Sequence, residues 1–267
     1  MQAKDEITGV TSLPILCELS DSDTAEPIVV LNQKSYIGEQ FRELRTKLNY
    51  LHGNSLPGRT TLFTSSIAGE GKSFVLSNLG AVFAAAGKKT ILIELDLRRP
   101  TLSTRFSLNT PDIGITDYII GNATENQIIQ QSQVSENLHI ICGGSIPPNP
   151  SELLESTQLA DLINDLKLRY DHILIDTPPI HLLTDAMIIT PLCDISLYIV
   201  RYDYTPKDEL AYIREIYNSK KLPKLSVIFN AVKIDLQKSG YLYQKNGYIK
   251  PPSLTFKARI KKFFRRF

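Results

Sequence analysis

The stretch Thr64-Ser-Ser-Ile-Ala-Gly-Glu-Gly-Lys-Ser73 decides the fold. It follows a β-branched run and precedes an alanine-rich stretch of helical character, which is where a phosphate-binding loop sits between a strand and a helix. Consecutive N–H groups around Gly69 and Gly71 can line a concave anion site, Lys72 can reach outer phosphates, and the Ser73 hydroxyl can ligate Mg²⁺. Ser66 stands where the G-x-x-x-x-G-K-[ST] pattern has its first glycine, so the loop needs support from elsewhere in the chain.

Two further segments supply it. Lys89-Thr-Ile-Leu-Ile-Glu-Leu-Asp-Leu-Arg98 is an apolar buried-strand run ending in Glu94, Asp96 and Arg98, and Asp171-His-Ile-Leu-Ile-Asp-Thr-Pro-Pro179 ends in Asp176. In an open parallel sheet, ligands bind beyond the carboxyl ends of the strands, so these carboxylates converge on the crevice of the phosphate loop. Mg²⁺ takes hard oxygen ligands and keeps several waters, which suits Ser73, Asp96 and Asp176 together with phosphates. The competing reading makes Asp96 and Asp176 polar caps of strand ends.

Strand patterns recur near 60–65, 90–95, 138–142, 172–176, 194–200 and 225–230, with helical patterns at 35–51, 72–86, 151–170 and 206–221. This alternation predicts an α/β fold of the P-loop NTPase kind, a mostly parallel central sheet flanked by helices on both faces. Residues 1–27 read as a leader or linker, 28–235 as the nucleotide domain, and 236–267 as a mobile tail. At 267 residues, 42% hydrophobic and 22% charged, the chain buries a sizeable core. A polar start and the lack of a long apolar run predict an intracellular protein. Cys17, Cys142 and Cys193 lack metal-ligand spacing, Cys142 and Cys193 read as buried thiols, and His139, His172 and His181 read as structural. Charge is uneven. Residues 241–267 hold eight Lys or Arg and no acid, so the remaining chain, with 22 basic and 28 acidic residues, carries −6.

The loop S-S-x-x-G-E-G-K-S, the strand ends E-L-D-L-R and I-L-I-D-T-P-P and the tyrosine-bearing tail together resemble the bacterial tyrosine kinases, the cytoplasmic catalytic domain of polysaccharide co-polymerases or its free-standing equivalent. The segments Pro147-Pro-Asn-Pro-Ser-Glu-Leu-Leu154 and Thr184-Asp-Ala186 are similar to family segments lining the site. The resemblance implies an ATP- and Mg²⁺-dependent autokinase. Its nucleotide would be held by Ala68, Gly69, Glu70, Gly71, Lys72, Ser73, Phe74 and Asn230, and its metal by Ser73, Asp96 and Asp176. Lys72, Glu94, Asp96 and Asp176 would be the catalytic residues, and Tyr241, Tyr243 and Tyr248 the phosphoacceptors, used in trans by a neighbour. It further implies a role in capsule or exopolysaccharide production at the inner face of the inner membrane, a membrane-embedded co-polymerase portion and a tyrosine phosphatase as partners, and a homo-oligomer, ring-like in form. Ala68 stands where the family often has proline and Glu94 where it often has aspartate. Glutamate sets the proton-accepting carboxylate one methylene further out, which predicts weakened turnover if the base is displaced.

On the predicted 35–51 helix, Ile37, Phe41, Leu44, Leu48 and Leu51 form an apolar stripe, with Glu39, Arg42 and Arg45 as a polar ridge. An ordinary solvated face explains the ridge, and E-x-x-R-x-x-R also matches the family's oligomerisation motif. Drawn as a helix, Phe256–Phe267 places Phe256, Ile260, Phe263, Phe264 and Phe267 on one face and six basic residues on the rest, which suits either an anionic membrane surface or a disordered basic tail. Nucleic acid is not an expected partner, because the body is acidic and carries no recognition motif. Two other functions share the fold: a nucleotide-switch ATPase of the Min and Par kind, which has an additional lysine where this chain has Ile67, and a scaffold that binds ATP without transferring phosphate.

Overall fold

Apolar, β-branched runs four to seven residues long become strands here because both of their faces are covered. The computed structural model describes residues 1, 4–10, 13–22, 26–31, 35–53, 58–108, 112–180 and 185–233. Eight strands are formed among them: β1 (Ile15–Ser20), β2 (Arg59–Ser65), β3 (Thr90–Glu94), β4 (Ile129–Gln131), β5 (Leu138–Ile141), β6 (His172–Asp176), β7 (Ile195–Arg201) and β8 (Ser226–Val232). They build one sheet in the order β1-β8-β7-β2-β6-β3-β5-β4. Every neighbouring pair is parallel except β4 with β5. The helices are α1 (Lys4–Val10), α2 (Tyr36–His52), α3 (Lys72–Ala85), α4 (Leu102–Arg105), α5 (Ile115–Ile119), α6 (Glu125–Ile128), α7 (Pro150–Leu154), α8 (Thr157–Lys167), α9 (Asp185–Ile189) and α10 (Glu209–Asn218).

The period-2 alternation of the strands divides the core. Leu92 and Leu174 pack with α2 and α3 residues such as Phe41, Leu44, Leu48, Leu76 and Leu79. Their neighbours Ile91, Ile93, Ile173 and Ile175 turn to the opposite face, against Leu159, Leu162, Ile163 and Leu166 of α8. Ser35 caps α2 by accepting from the Gly38 N–H at 3.2 Å. The helix then buries Ile37, Phe41, Leu44 and Leu48. Each such burial is worth about 1.5–3 kcal/mol, against about 0.2–0.5 kcal/mol for an exposed pair such as Glu43–Lys47. The stripe, not the charges, sets how the helix sits.

Two expectations are corrected. The segment 1–27, read as a leader, contributes α1 and the edge strand β1, whose Ile15 to Ser20 pair in parallel with Val227 to Val232 of β8. The single helix expected over 151–170 is two, because the Ser156 side chain accepts from the Leu159 N–H at 3.3 Å and starts α8 afresh. Met1–Val232 forms one compact unit. The tail, including Tyr241, Tyr243, Tyr248 and the basic segment 256–267, lies outside the described residues, as do His181 and Thr184. Among the described residues no helix is long and apolar enough to cross a membrane.

Candidate functional site

The loop between β2 and α3 is shaped by two glycines at positive φ, Gly69 at 86° and Gly71 at 97°. A Cβ on Gly71 would lie 2.2 Å from Asn230 Nδ2, so both backbone angle and space exclude a larger residue. The carbonyls of three successive loop residues are held from outside. Tyr204 Oη donates to Ala68 O at 3.0 Å, Arg201 Nη1 to Gly69 O at 2.8 Å and Asn230 Nδ2 to Glu70 O at 2.9 Å. Turning the carbonyls outward leaves the N–H edge of the turn for an anion. Glu70 folds back under the loop, accepting from Ile67 N–H at 2.8 Å and from the Thr205 hydroxyl. Burial raises its pKa, and those hydrogen bonds oppose the shift. Ser66, the departure from the glycine pattern, is fully buried with its Oγ 3.0 Å from Tyr198 Oη, a contact a glycine could not make.

Lys72 and Ser73 open α3 at the carboxyl end of β2. Lys72 is 7% exposed and donates from Nζ to Ser65 Oγ at 3.2 Å. Ser73 Oγ donates to Asp176 Oδ2 at 2.5 Å across the β2–β6 edge. Asp176 is buried, and burial raises its pKa from 3.8 to about 6 against the opposing pull of Lys72 and Ser73. Its Oδ1 has no hydrogen-bond partner among the described residues. Asp96 sits just past β3, accepts the Arg99 N–H at 3.2 Å and has a pKa raised by burial and lowered by Lys72. A buried carboxylate with a bare oxygen, a second carboxylate, a hydroxyl and a lysine beside them form a hard-oxygen set that fits Mg²⁺ and phosphates. Lys72, Ser73, Asp96 and Asp176 are therefore brought together. Phe74 follows them into the first turn of α3 and packs edge-on against Phe41, 6.0 Å between ring centroids.

Glu94, the residue expected to accept the proton, is held by the backbone of two neighbouring loops. Its carboxylate is wholly buried and accepts the backbone N–H groups of Thr101, of Leu102 at 2.8 Å and of Gly143 at 3.1 Å. Burial pushes its pKa up to about 7, the three N–H groups opposing. The extra methylene that distinguishes it from aspartate lets one carboxylate tie two loops together. Arg98 performs a similar task on the segments expected to line the site. Its Nε donates to Asp185 Oδ2 at 3.0 Å, and Ser151 Oγ donates to Asp185 Oδ1 at 2.8 Å, locking α7 to α9. On α2, Arg42 pairs with Glu39 at 2.5 Å, both still partly exposed, and Arg45 donates to Val82 O of α3 at 3.1 Å. Sequence reasoning missed Tyr198, Arg201, Tyr204 and Thr205. They come from β7 and the turn after it, more than 130 residues from the loop they brace, and no spacing signals them.

A parallel sheet with a phosphate loop at one edge, and a lysine and two carboxylates gathered over it, defines a nucleotide-binding protein of the phosphate-loop class. A family model described as an AAA domain matches residues 60–204. The chain is similar to the tyrosine-protein kinase YwqD of Bacillus subtilis, 33% identical over 223 residues that cover 83% of this chain and 93% of that protein. It is also similar to the tyrosine-protein kinase ptk of Acinetobacter johnsonii, 33% identical over 81% of this chain but only 28% of that longer protein. Among solved structures, the chimerical protein CapA2B2 superposes with a TM-score of 0.79 at 29% identity, covering 87% of this chain and all of that one. The chain belongs to the bacterial tyrosine-protein kinases.

Proposed function

We propose that the protein transfers the γ-phosphoryl group of Mg²⁺-ATP to Tyr241, Tyr243 and Tyr248 in the tails of neighbouring copies, and thereby regulates synthesis and export of a surface polysaccharide. The observation that carries the reading is the convergence of Lys72, Ser73, Asp96 and Asp176 on one sheet edge, with Asp176 Oδ1 buried and unpartnered. Lys72 and the Ala68–Ser73 backbone hold the phosphates. Ser73, Asp96 and Asp176 hold the metal, which supplies charge neutralisation on the transferring group. Phosphoryl transfer proceeds through a loose transition state, so positioning and electrostatics dominate and a strong base is not required. Glu94, bound to three backbone N–H groups, serves best as the residue that positions the loops at Thr101–Leu102 and Gly143.

Three tyrosines within eight residues of a basic tail supply the acceptors, and each added phosphate places roughly −1.5 to −2 charges there. Repulsion from an acidic neighbour then loosens the assembly. The Glu39–Arg42–Arg45 ridge is assigned to that neighbour contact. Relatives several times longer support a membrane-embedded co-polymerase portion as partner at the inner face of the membrane, with a tyrosine phosphatase to reset the tail. The Min and Par reading is disfavoured by Ile67, which occupies the place of their additional lysine. The test mixes active wild type with full-length Lys72→Met as acceptor in Mg²⁺-ATP. Phosphotyrosine on the Lys72→Met tail is expected, and phosphate confined to the wild-type chain would refute transfer between copies.

A further inference from the structure

Asn78 of α3 is fully buried and spends its whole amide on the chain around it. Its Oδ1 accepts the N–H groups of Val29 at 2.8 Å and Val30 at 3.3 Å, and its Nδ2 donates to Pro27 O at 3.1 Å and Phe74 O at 3.0 Å. One side chain thereby fixes Pro27 and Phe74, which are two walls of a cavity of about 570 Å³. Glu94 fixes a third wall by accepting the N–H groups of Thr101 and Leu102. Two buried polar side chains thus hold the cavity in shape, and its volume lies within the range of about 300–1,000 Å³ found for ligand sites. Lys72, Ser73, Asp96 and Asp176 do not line it, so it is separate from the place assigned to ATP.

The donors around the cavity are unspent. Arg105, at the end of α4, makes no ion pair or side-chain hydrogen bond among the described residues, and its Nε is buried without a partner. Thr101 leaves α4 without a side-chain cap, and with Thr104 and Ser22 it adds three hydroxyls to the lining. A guanidinium among hydroxyls suits a phosphate group. Phe74, Pro27 and Pro100 offer apolar surface on which a flat ring can lie. Glu26, exposed where it lines the cavity, accepts from hydroxyls and repels further negative charge, which disfavours a triphosphate. We infer that this cavity binds a nucleoside diphosphate sugar, with the base against Phe74, the diphosphate met by Arg105 and the sugar hydroxyls by Glu26. The choice of a sugar rests on the polysaccharide reading, because a polymer of sugars is built from donors activated by a phosphate leaving group; the anion site does not depend on it. The ligand sits next in the chain to Ser73 and against the backbone that Glu94 holds, so the supply of precursor is reported to the catalytic edge of the sheet.

The test titrates full-length protein, saturated with Mg²⁺-ADP so that the phosphate loop is filled, with UDP-glucose, dTDP-glucose and GDP-mannose in a calorimeter. At least one should bind, and about tenfold more tightly than its own nucleoside diphosphate, an advantage that Glu26→Gln should reduce. Arg105→Ala should weaken that binding about 10- to 100-fold with Mg²⁺-ADP affinity unchanged, and Arg105→Lys should recover part of the loss. Thr104→Phe, which fills the cavity and leaves the arginine in place, should also weaken it, even if Arg105→Ala fails to fold. Failure of all three compounds to bind would overturn the assignment, as would affinity retained in both Arg105→Ala and Thr104→Phe. Binding seen only without Mg²⁺-ADP would overturn it too, by placing the compound on the phosphate loop. Phosphate on the tail tyrosines with no sugar nucleotide bound would remove this inference alone, and bound sugar nucleotide with no tyrosine modified would remove the kinase reading alone.

Discussion

Replacing Asp176 with asparagine should stabilise the nucleotide-free protein at neutral pH while abolishing Mg²⁺-dependent nucleotide binding. The carboxyl is buried, and its pKa is raised from 3.8 to about 6, burial outweighing the attraction of Lys72 and the Ser73 hydrogen bond. Each pKa unit corresponds to about 1.4 kcal/mol, so ionising this group in the folded state costs on the order of 3 kcal/mol. The sign follows from linkage. A carboxyl whose folded pKa exceeds its unfolded one opposes folding only when ionised. The penalty is absent below about pH 4, grows between pH 4 and 6, and is complete above that range. Wild type should therefore lose stability as pH rises through this window, whereas Asp176→Asn, which keeps an acceptor for Ser73, should show a flatter profile. Urea unfolding at pH 4.5 and pH 8 measures the difference: little gap at the lower pH, and up to about 3 kcal/mol in favour of the variant at the higher, less whatever Lys72 loses with its counter-charge. A variant less stable than wild type at pH 8 would refute the reasoning.

Gly71→Ala should lose nucleotide affinity and about 1–2 kcal/mol of stability, because its φ is 97° and its Cβ would meet Asn230; a wild-type affinity in Mg²⁺-ADP titration would contradict this. Glu94→Asp withdraws a carboxylate that bridges Leu102 and Gly143. It should cost about 1–3 kcal/mol for each N–H left unpaired, visible as a lowered Tm, and an unchanged Tm would show that the clamp is not needed. Changing Glu39, Arg42 and Arg45 together to alanine should shrink the assembly in light scattering, and an unchanged mass would remove that ridge from the interface.

The fold was legible where information is local. The phosphate loop, the strand ends carrying Asp96 and Asp176, and the apolar stripe of α2 each declare themselves within a few residues. Less could be read where a partner is distant. Ile15–Ser20 is a short, half-polar run that becomes a strand only because β8, more than 200 residues later, offers it an edge. The brace of Arg201, Tyr204 and Thr205 on the phosphate loop is equally remote. Glu94 illustrates a different limit. Its spacing placed a carboxylate near the site, but nothing in the spacing revealed that three backbone N–H groups would converge on it. Arg45 likewise read as part of an outward ridge, yet it donates to Val82 O.

Intact-mass analysis and peptide mapping of the purified full chain, incubated with and without Mg²⁺-ATP beside Lys72→Met, test the central claim most directly. The account predicts phosphates on Tyr241, Tyr243 and Tyr248 in wild type and none in the variant. Phosphate only on serine or threonine, or ATP consumed with no tyrosine modified, would contradict it.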